Sequence, residues 1–193
     1  MIIGITGGTG CGKTTLLNVI ETIGGTVFDC DAIYHGLLQT NTELLTAIEA
    51  RFPSCVVEGC LQRKKLGAIV FADKAALEDL NQIAHKFVYA AILQKLETAG
   101  PLVAIDAIGL FEGKLDELCD VTVAVTAPEE CRIARLVLRE GISEEYARSR
   151  IAAQRPQEEF QALCNYSLVN DGTQGAFREK CLAFLAQLGI MKE

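Results

Sequence analysis

The sequence has no tryptophan, four prolines and two histidines, and aromatic residues make up only 6% of it. Half of all residues are nevertheless apolar, so the core is expected to consist mainly of aliphatic side chains. Long apolar runs are missing too: the longest, FVYAAIL at 87–93, is far short of the roughly 20 residues a membrane span needs. With 22% charged residues and no low-complexity tract, a disordered or collagen-like chain is excluded. The 193 residues suit one domain with a small insertion. The start, MIIGIT, has no basic region ahead of an apolar stretch, so a cytoplasmic protein without membrane attachment is expected.

Cysteine is plentiful, with eight residues, but they form no CxxC pair, and His35 and His85 do not fall into zinc-ligand spacing with them. In a reducing compartment most are expected to behave as small buried apolar residues. The formal charge of −7 argues against a broad, unspecific nucleic-acid partner. Lysine is absent between 132 and 155, yet six of the nine arginines lie there: Arg132, Arg135, Arg139, Arg148, Arg150 and Arg155. Arginine forks suit phosphate oxygens, which points to a localised phosphate site. A solvated helix face balanced by Glu129, Glu130, Glu140, Glu144 and Glu145 explains the same pattern, and spacing does not decide between the two.

Short apolar runs at 2–6, 26–31, 101–107, 121–127 and 166–170 read as strands covered on both faces, the signature of a parallel sheet. Helical patterns lie between and after them at 13–23, 75–98, 129–140, 144–154 and 173–188. Thr40 with Glu43 and Thr126 with Glu129 have capping-box spacing, and Ser143 before two glutamates marks another helix start. The order predicts a doubly wound α/β fold with right-handed crossovers. Residues 32–100 are too many for one crossover helix and predict a helical insertion, while 129–160 predict an arginine-rich lid. Segments 1–31, 101–128 and 161–193 then form the core.

Residues 7–14, GGTGCGKT, fit GxxxxGK(S/T) between an apolar strand and a helical pattern, the context of a P-loop. Glycine lets successive N–H groups converge on one anion, and the following helix directs its positive end at the same spot. Gly10, Cys11, Gly12, Lys13, Thr14 and Thr15 are therefore the candidate nucleotide-binding residues. Lys13 is expected at the β and γ phosphates, Thr14 on Mg²⁺ and Thr15 at the α-phosphate. Acids at the carboxyl ends of strands are the next candidates. Asp31 is read as the base that orients an acceptor hydroxyl, with a helix N-cap as its alternative role. Asp29 is read as structural, and Asp106, ending VAID, is placed near the Mg²⁺ shell. Arg132, Arg135 and Arg139 fall on one helix stripe that could meet a polyphosphate. His35 and His85 fit either substrate contacts or structural hydrogen bonds.

GITGGTGCGKTT, FDCDAIYH, GCLQRKKLGAIVFAD, LEDLNQIAHKFV, VAIDAIGLFE and RLVLREGISEEYARSRIAAQ stand in an order that resembles the dephospho-CoA kinases over nearly the whole chain. The resemblance implies a P-loop NTPase fold, three α/β/α layers with a five-stranded parallel sheet, a helical acceptor-binding insertion and a helical lid. It further implies ATP, Mg²⁺ and dephospho-CoA as the small molecules bound, in a monomer or weak homo-oligomer that binds neither nucleic acid nor membrane. Asp31 matches the catalytic aspartate, Arg139 the lid arginine, Thr6 the threonine before the loop, His35 the Arg-or-His position of the acid motif, and His85 a histidine of the CoA-binding region. Lys86 stands where proline is usual, Ile108 and Gly109 alter the DVPLLFE pattern, Phe160 replaces a lysine, and Asn165 and Val169 replace commonly acidic residues.

A kinase acting on another nucleoside or nucleotide would share these features. A GTPase switch finds one match, DAIG at 106–109, but the sequence contains no NKxD and gives such a switch no use for an arginine-rich lid. A nucleotide-dependent binding module would hold ATP without turnover.

Overall fold

The structure, a computed structural model, describes residues 1–190; the last three residues of the expected 161–193 segment lie outside the described residues. The chain runs β1 (Ile2–Thr6), α1 (Lys13–Thr22), β2 (Thr26–Asp29), α2 (Cys30–Thr40), α3 (Thr42–Arg51), β3 (Val56–Val57), β4 (Cys60–Leu61), α4 (Arg63–Ala72) and α5 (Lys74–Leu96). It continues with β5 (Val103–Asp106), a 3₁₀ turn (Leu115–Leu118), β6 (Val121–Thr126), α6 (Glu129–Glu140), α7 (Glu144–Ala152), α8 (Gln157–Leu163), β7 (Tyr166–Val169) and α9 (Gln174–Gln187). Two compact units result. One comprises Met1–Phe28, Ala99–Leu110 and Asp116 onward; the other comprises Asp29–Thr98 and Phe111–Leu115.

The main sheet has the order β2-β5-β1-β6-β7, with β1 at its centre. β1 pairs in parallel with β5 on one side and β6 on the other, and β6 pairs in parallel with β7. The chain thus fills one side of β1 with β2 and β5 and then crosses to the other side for β6 and β7, a reversal of strand order that opens a crevice at the carboxyl end of the central strand. The glycine loop begins at that end. Ile3 and Ile5 of β1 pack with Val123 and Val125 of β6, Leu16 and Ile20 of α1, and Phe177 and Leu185 of α9, all buried. This apolar packing fixes the strand and the helix on either side of the loop, each large buried side chain contributing of order 2 kcal/mol.

α6 and α7 carry a small core of their own, Ile133, Leu136, Ala147 and Ile151. Ser143 caps α7 as expected, accepting from the Tyr146 N–H. The two other capping pairs are corrected. Thr40 remains inside α2 with its hydroxyl on the Gly36 carbonyl, and Asn41, equally good as a cap, receives the Leu44 N–H. Thr126 remains in β6, and α6 starts from Pro128 with no side-chain cap.

The second unit is organised around Leu44, Leu45, Ile48, Phe52, Leu66 and Val70. It consists of α2 to α5 plus a two-strand antiparallel hairpin, β3 with β4, that apolar periodicity over so few residues does not announce. All eight cysteines are free thiols: Cys11, Cys30, Cys55 and Cys181 are buried, and Cys60 is exposed. Burial pushes the Cys181 thiol up to about 11, as expected for an inert apolar filler.

At the base of β6 and β7, the Asn165 side-chain oxygen accepts from the Thr122 N–H at 2.8 Å and its hydroxyl at 3.0 Å, while the Asn165 N–H donates back to that hydroxyl. We expect Asn165→Ala to lower unfolding free energy by about 1–3 kcal/mol, because it leaves a buried N–H unsatisfied. Asn165→Asp keeps the acceptor and should stay near the parent value; urea unfolding of both variants checks this.

Candidate active site

The loop between β1 and α1 has the conformation its glycines permit and other residues would not. Gly10 and Gly12 have φ of 76° and 96°, in the left-handed region that strains a residue with a Cβ. A Cβ on Gly12 would lie 2.2 Å from Asn170 Nδ2, so bare backbone is also a requirement of space. Cys11 is buried within the loop. Desolvation raises its thiol pKa despite the Lys13 charge, leaving it a packing residue rather than a nucleophile. Thr14 and Thr15 stand in the first turn of α1, at its positive end.

Lys13 Nζ donates to the Gly7 carbonyl at 3.0 Å and lies 3.8 Å from Asp106 Oδ1. The carboxyl end of β5 thus reaches the loop lysine. Thr6 is fully buried, and its hydroxyl donates to the Ile108 carbonyl at 3.1 Å, tying the end of β1 to the turn after Asp106. A cavity of about 340 Å³ opens beside Thr15, lined also by Asn18, Thr22, Gln174 and Arg178.

The arginine stripe of α6 divides in use. Arg132, 3% exposed, donates through Nε to the Thr9 carbonyl at 2.8 Å and through Nη2 to Gln154 Oε1 at 3.1 Å. Gln154 Oε1 also accepts the Thr9 N–H at 2.8 Å. Arg135 reaches the Gly10 and Cys11 carbonyls at 3.3 and 3.4 Å and both oxygens of Asn170. Burial pushes the Arg132 guanidinium below its ordinary range, yet an arginine remains charged at neutral pH. Arg139, one turn further, is exposed and paired with Glu140, which also holds Arg150; these bonds keep the Glu140 carboxyl below its usual range. Arg148 spans Glu129 and Glu130.

Asn170 is absent from the candidates the sequence offers, although it is a node of the site. Its N–H donates to the Thr126 carbonyl at 2.8 Å and its Nδ2 to the Cys11 carbonyl at 3.0 Å. A polar residue ending an apolar strand is the available signal, but many strand ends share it.

In the second unit, Asp29 and Asp31 do not share a strand face, because β2 ends at Asp29 and α2 begins at Cys30. Asp29 is the N-cap, accepting the Ala32 N–H at 2.9 Å, and this removes capping as the role of Asp31. Asp31 is exposed in the first helical turn, and among the described residues no hydrogen bond or ion pair engages its carboxylate. His35 follows one turn later, its Nδ1 2.8 Å from the Asp31 carbonyl oxygen. His85 lies apart on α5, hydrogen-bonded to the Glu112 backbone, and partial burial lowers its pKa, so it is neutral at pH 7. It lines a cavity of about 490 Å³ with Lys74, Asn81, Gln82 and Glu112.

Among known proteins, a curated dephospho-CoA kinase of Syntrophotalea carbinolica is 34% identical over 97% of this chain and 92% of its own length. A solved dephospho-CoA kinase from Campylobacter jejuni superposes with a TM-score of 0.68 at 25% identity, covering 98% of each chain. A shikimate kinase from Bacteroides thetaiotaomicron shares the fold alone, with a TM-score of 0.60 at 13% identity over 98% of each chain. The family model described as dephospho-CoA kinase matches residues 1–175, and this chain belongs to that family.

Proposed function

We propose that this chain transfers the γ-phosphoryl group of ATP to the ribose 3′-hydroxyl of dephospho-CoA, giving CoA and ADP. The observation that carries this reading is a complete phosphate loop, in its strand-loop-helix frame, within a chain that the family matches from residue 1 to 175. The loop amides and the α1 terminus bind the polyphosphate, and Lys13 exchanges its Gly7 contact for β and γ phosphate oxygens. Thr14 and Asp106 offer hard oxygen donors suited to Mg²⁺, with Asp106 already beside the loop lysine. When bound there, Mg²⁺ would neutralise charge on the transferring group.

Asp31 takes the proton of the 3′-hydroxyl as its oxygen bonds to the γ-phosphorus and the bond to ADP breaks. Its unengaged carboxylate supports that assignment. Arg139 leaves Glu140 for the far more negative polyphosphate and stabilises charge in the transition state. Thr6 contributes through the 106–109 turn that it holds, and His35 and His85 contribute to acceptor recognition, the latter as a neutral imidazole in a cavity it shares with Lys74, Leu77 and Gln82. Among the described residues no helix is long and apolar enough to cross a membrane. We infer a cytoplasmic monomer or weak homo-oligomer whose net charge of −7 disfavours nucleic acid.

An ADP-release assay with dephospho-CoA against a panel of nucleosides tests the acceptor. Turnover confined to dephospho-CoA and abolished by EDTA is expected; preference for a nucleoside would refute the assignment. Asp31→Asn should lower kcat by about 10²–10⁴-fold with ATP affinity retained. For Arg139→Ala we expect a loss of about 10²-fold in kcat with little change in the KM for dephospho-CoA, readable in steady-state kinetics.

A further inference from the structure

The outer edge of the phosphate loop is unusually well supplied with hydrogen-bond donors. The Thr9 carbonyl receives Arg132 Nε, the Gly10 carbonyl receives Arg135 Nη1, and the Cys11 carbonyl receives Arg135 Nη1 and Asn170 Nδ2. Among the described residues there is no cis peptide bond, so each carbonyl and the N–H of the next residue point in opposite directions. A carbonyl of Thr9 held toward α6 therefore turns the Gly10 N–H away from it. The Cys11 carbonyl does the same for the Gly12 N–H. The Thr9 N–H is itself consumed by Gln154 Oε1, which the Arg132 guanidinium holds in turn, so both ends of the Thr9 residue are clamped by one coupled pair.

A second observation concerns charge. Among the described residues neither Arg132 nor Arg135 forms an ion pair, and their hydrogen bonds end on neutral carbonyl and amide oxygens. Two guanidinium charges, one of them buried, thus stand behind the loop with no bonded carboxylate. Desolvating a cation in this way is costly unless an anion compensates, and a bound polyphosphate would supply one on the other side of the loop.

We propose that Arg132 and Gln154 are positioning residues: they hold the Thr9 segment so that the Gly10 amide is already directed at a nucleotide polyphosphate, and with Arg135 and Asn170 they set nucleotide affinity. They touch the loop, not the reacting atoms. The inference deepens the reading of the loop as an ATP site and rests on it. Flexible glycine peptides would otherwise sample inward and outward carbonyls, and an inward carbonyl repels phosphate oxygen.

The test is calorimetric titration of the full chain with Mg²⁺-ATP, together with steady-state kinetics toward both substrates, for Arg132→Met, Gln154→Ala, their combination and Gln154→Glu. Arg132→Met and Gln154→Ala should each weaken ATP binding by roughly 10- to 100-fold, with the KM for dephospho-CoA held, the size expected for a lost charge-assisted hydrogen bond. The double variant should be little worse than either single one, since both act on one peptide. Gln154→Glu retains the acceptor for Thr9 and Arg132 and should restore affinity. If Arg132→Met fails to fold, the Gln154 series, at a less buried position, still decides. Unchanged ATP affinity in Gln154→Ala, or equal losses toward both substrates, overturns the positioning role while leaving the kinase reading intact. Absence of ATP binding by the unmodified chain would instead defeat the kinase reading.

Discussion

The molecule's chemistry depends on the orientation of a few peptide planes between Gly7 and Gly12. Glycine makes the necessary turns accessible, but it also gives the unfolded and unsupported loop more freedom than any other residue would. An anion cradle built from such material has to be held by its surroundings. Here β1 and α1 anchor its ends through buried apolar packing, while α6 and Asn170 hold its outer carbonyls and Gln154 accepts the Thr9 N–H. The side chains that engage the loop serve mainly to place backbone.

This explains why arginine is concentrated in an otherwise acidic chain. A lysine is a single point of positive charge with freely rotating donors, whereas one guanidinium can bind two acceptors in a fixed plane. Arg132 joins the Thr9 carbonyl to Gln154, and Arg135 joins the Gly10 and Cys11 carbonyls to Asn170. The same helix then carries Arg139 to its exposed end, where a partner carboxylate keeps the charge ordered. Of the two readings left open by the arginine spacing, the structure shows the solvated, carboxylate-balanced face, and it adds a third use, the binding of loop backbone. Arg148 spans two glutamates on a solvated face, while the buried turns of α6 act on the phosphate loop.

The strand-loop-helix unit is legible in sequence because its signals are local: apolar strand, glycines at fixed offsets, lysine, then helical periodicity. The parallel sheet and helical insertion are legible for similar reasons. Less legible are features set by competition or by distance along the chain. Asn41 displaces Thr40 as a cap by one position, and the strand expected through residue 31 stops at Asp29 because that side chain caps a helix. Asn170 meets Cys11 across 159 residues, and no local pattern encodes that meeting. The stripe on α6 is correctly placed by helical spacing, but spacing cannot distinguish a guanidinium that binds phosphate from one that binds the peptide beside it.

The departures from the usual family pattern separate on the same physical grounds. Phe160 is 1% exposed and serves packing, and Asn165 supplies the acceptor that two Thr122 donors require. Neither substitution alters a group assigned to phosphoryl transfer. Lys86 differs in kind. A proline there would remove an interior helix N–H and clash with the carbonyl four residues earlier, kinking the helix immediately after His85. With lysine, α5 runs unbroken from Lys74 to Leu96. The direction in which His85 enters its cavity is then set by regular helix geometry and by the Glu112 backbone.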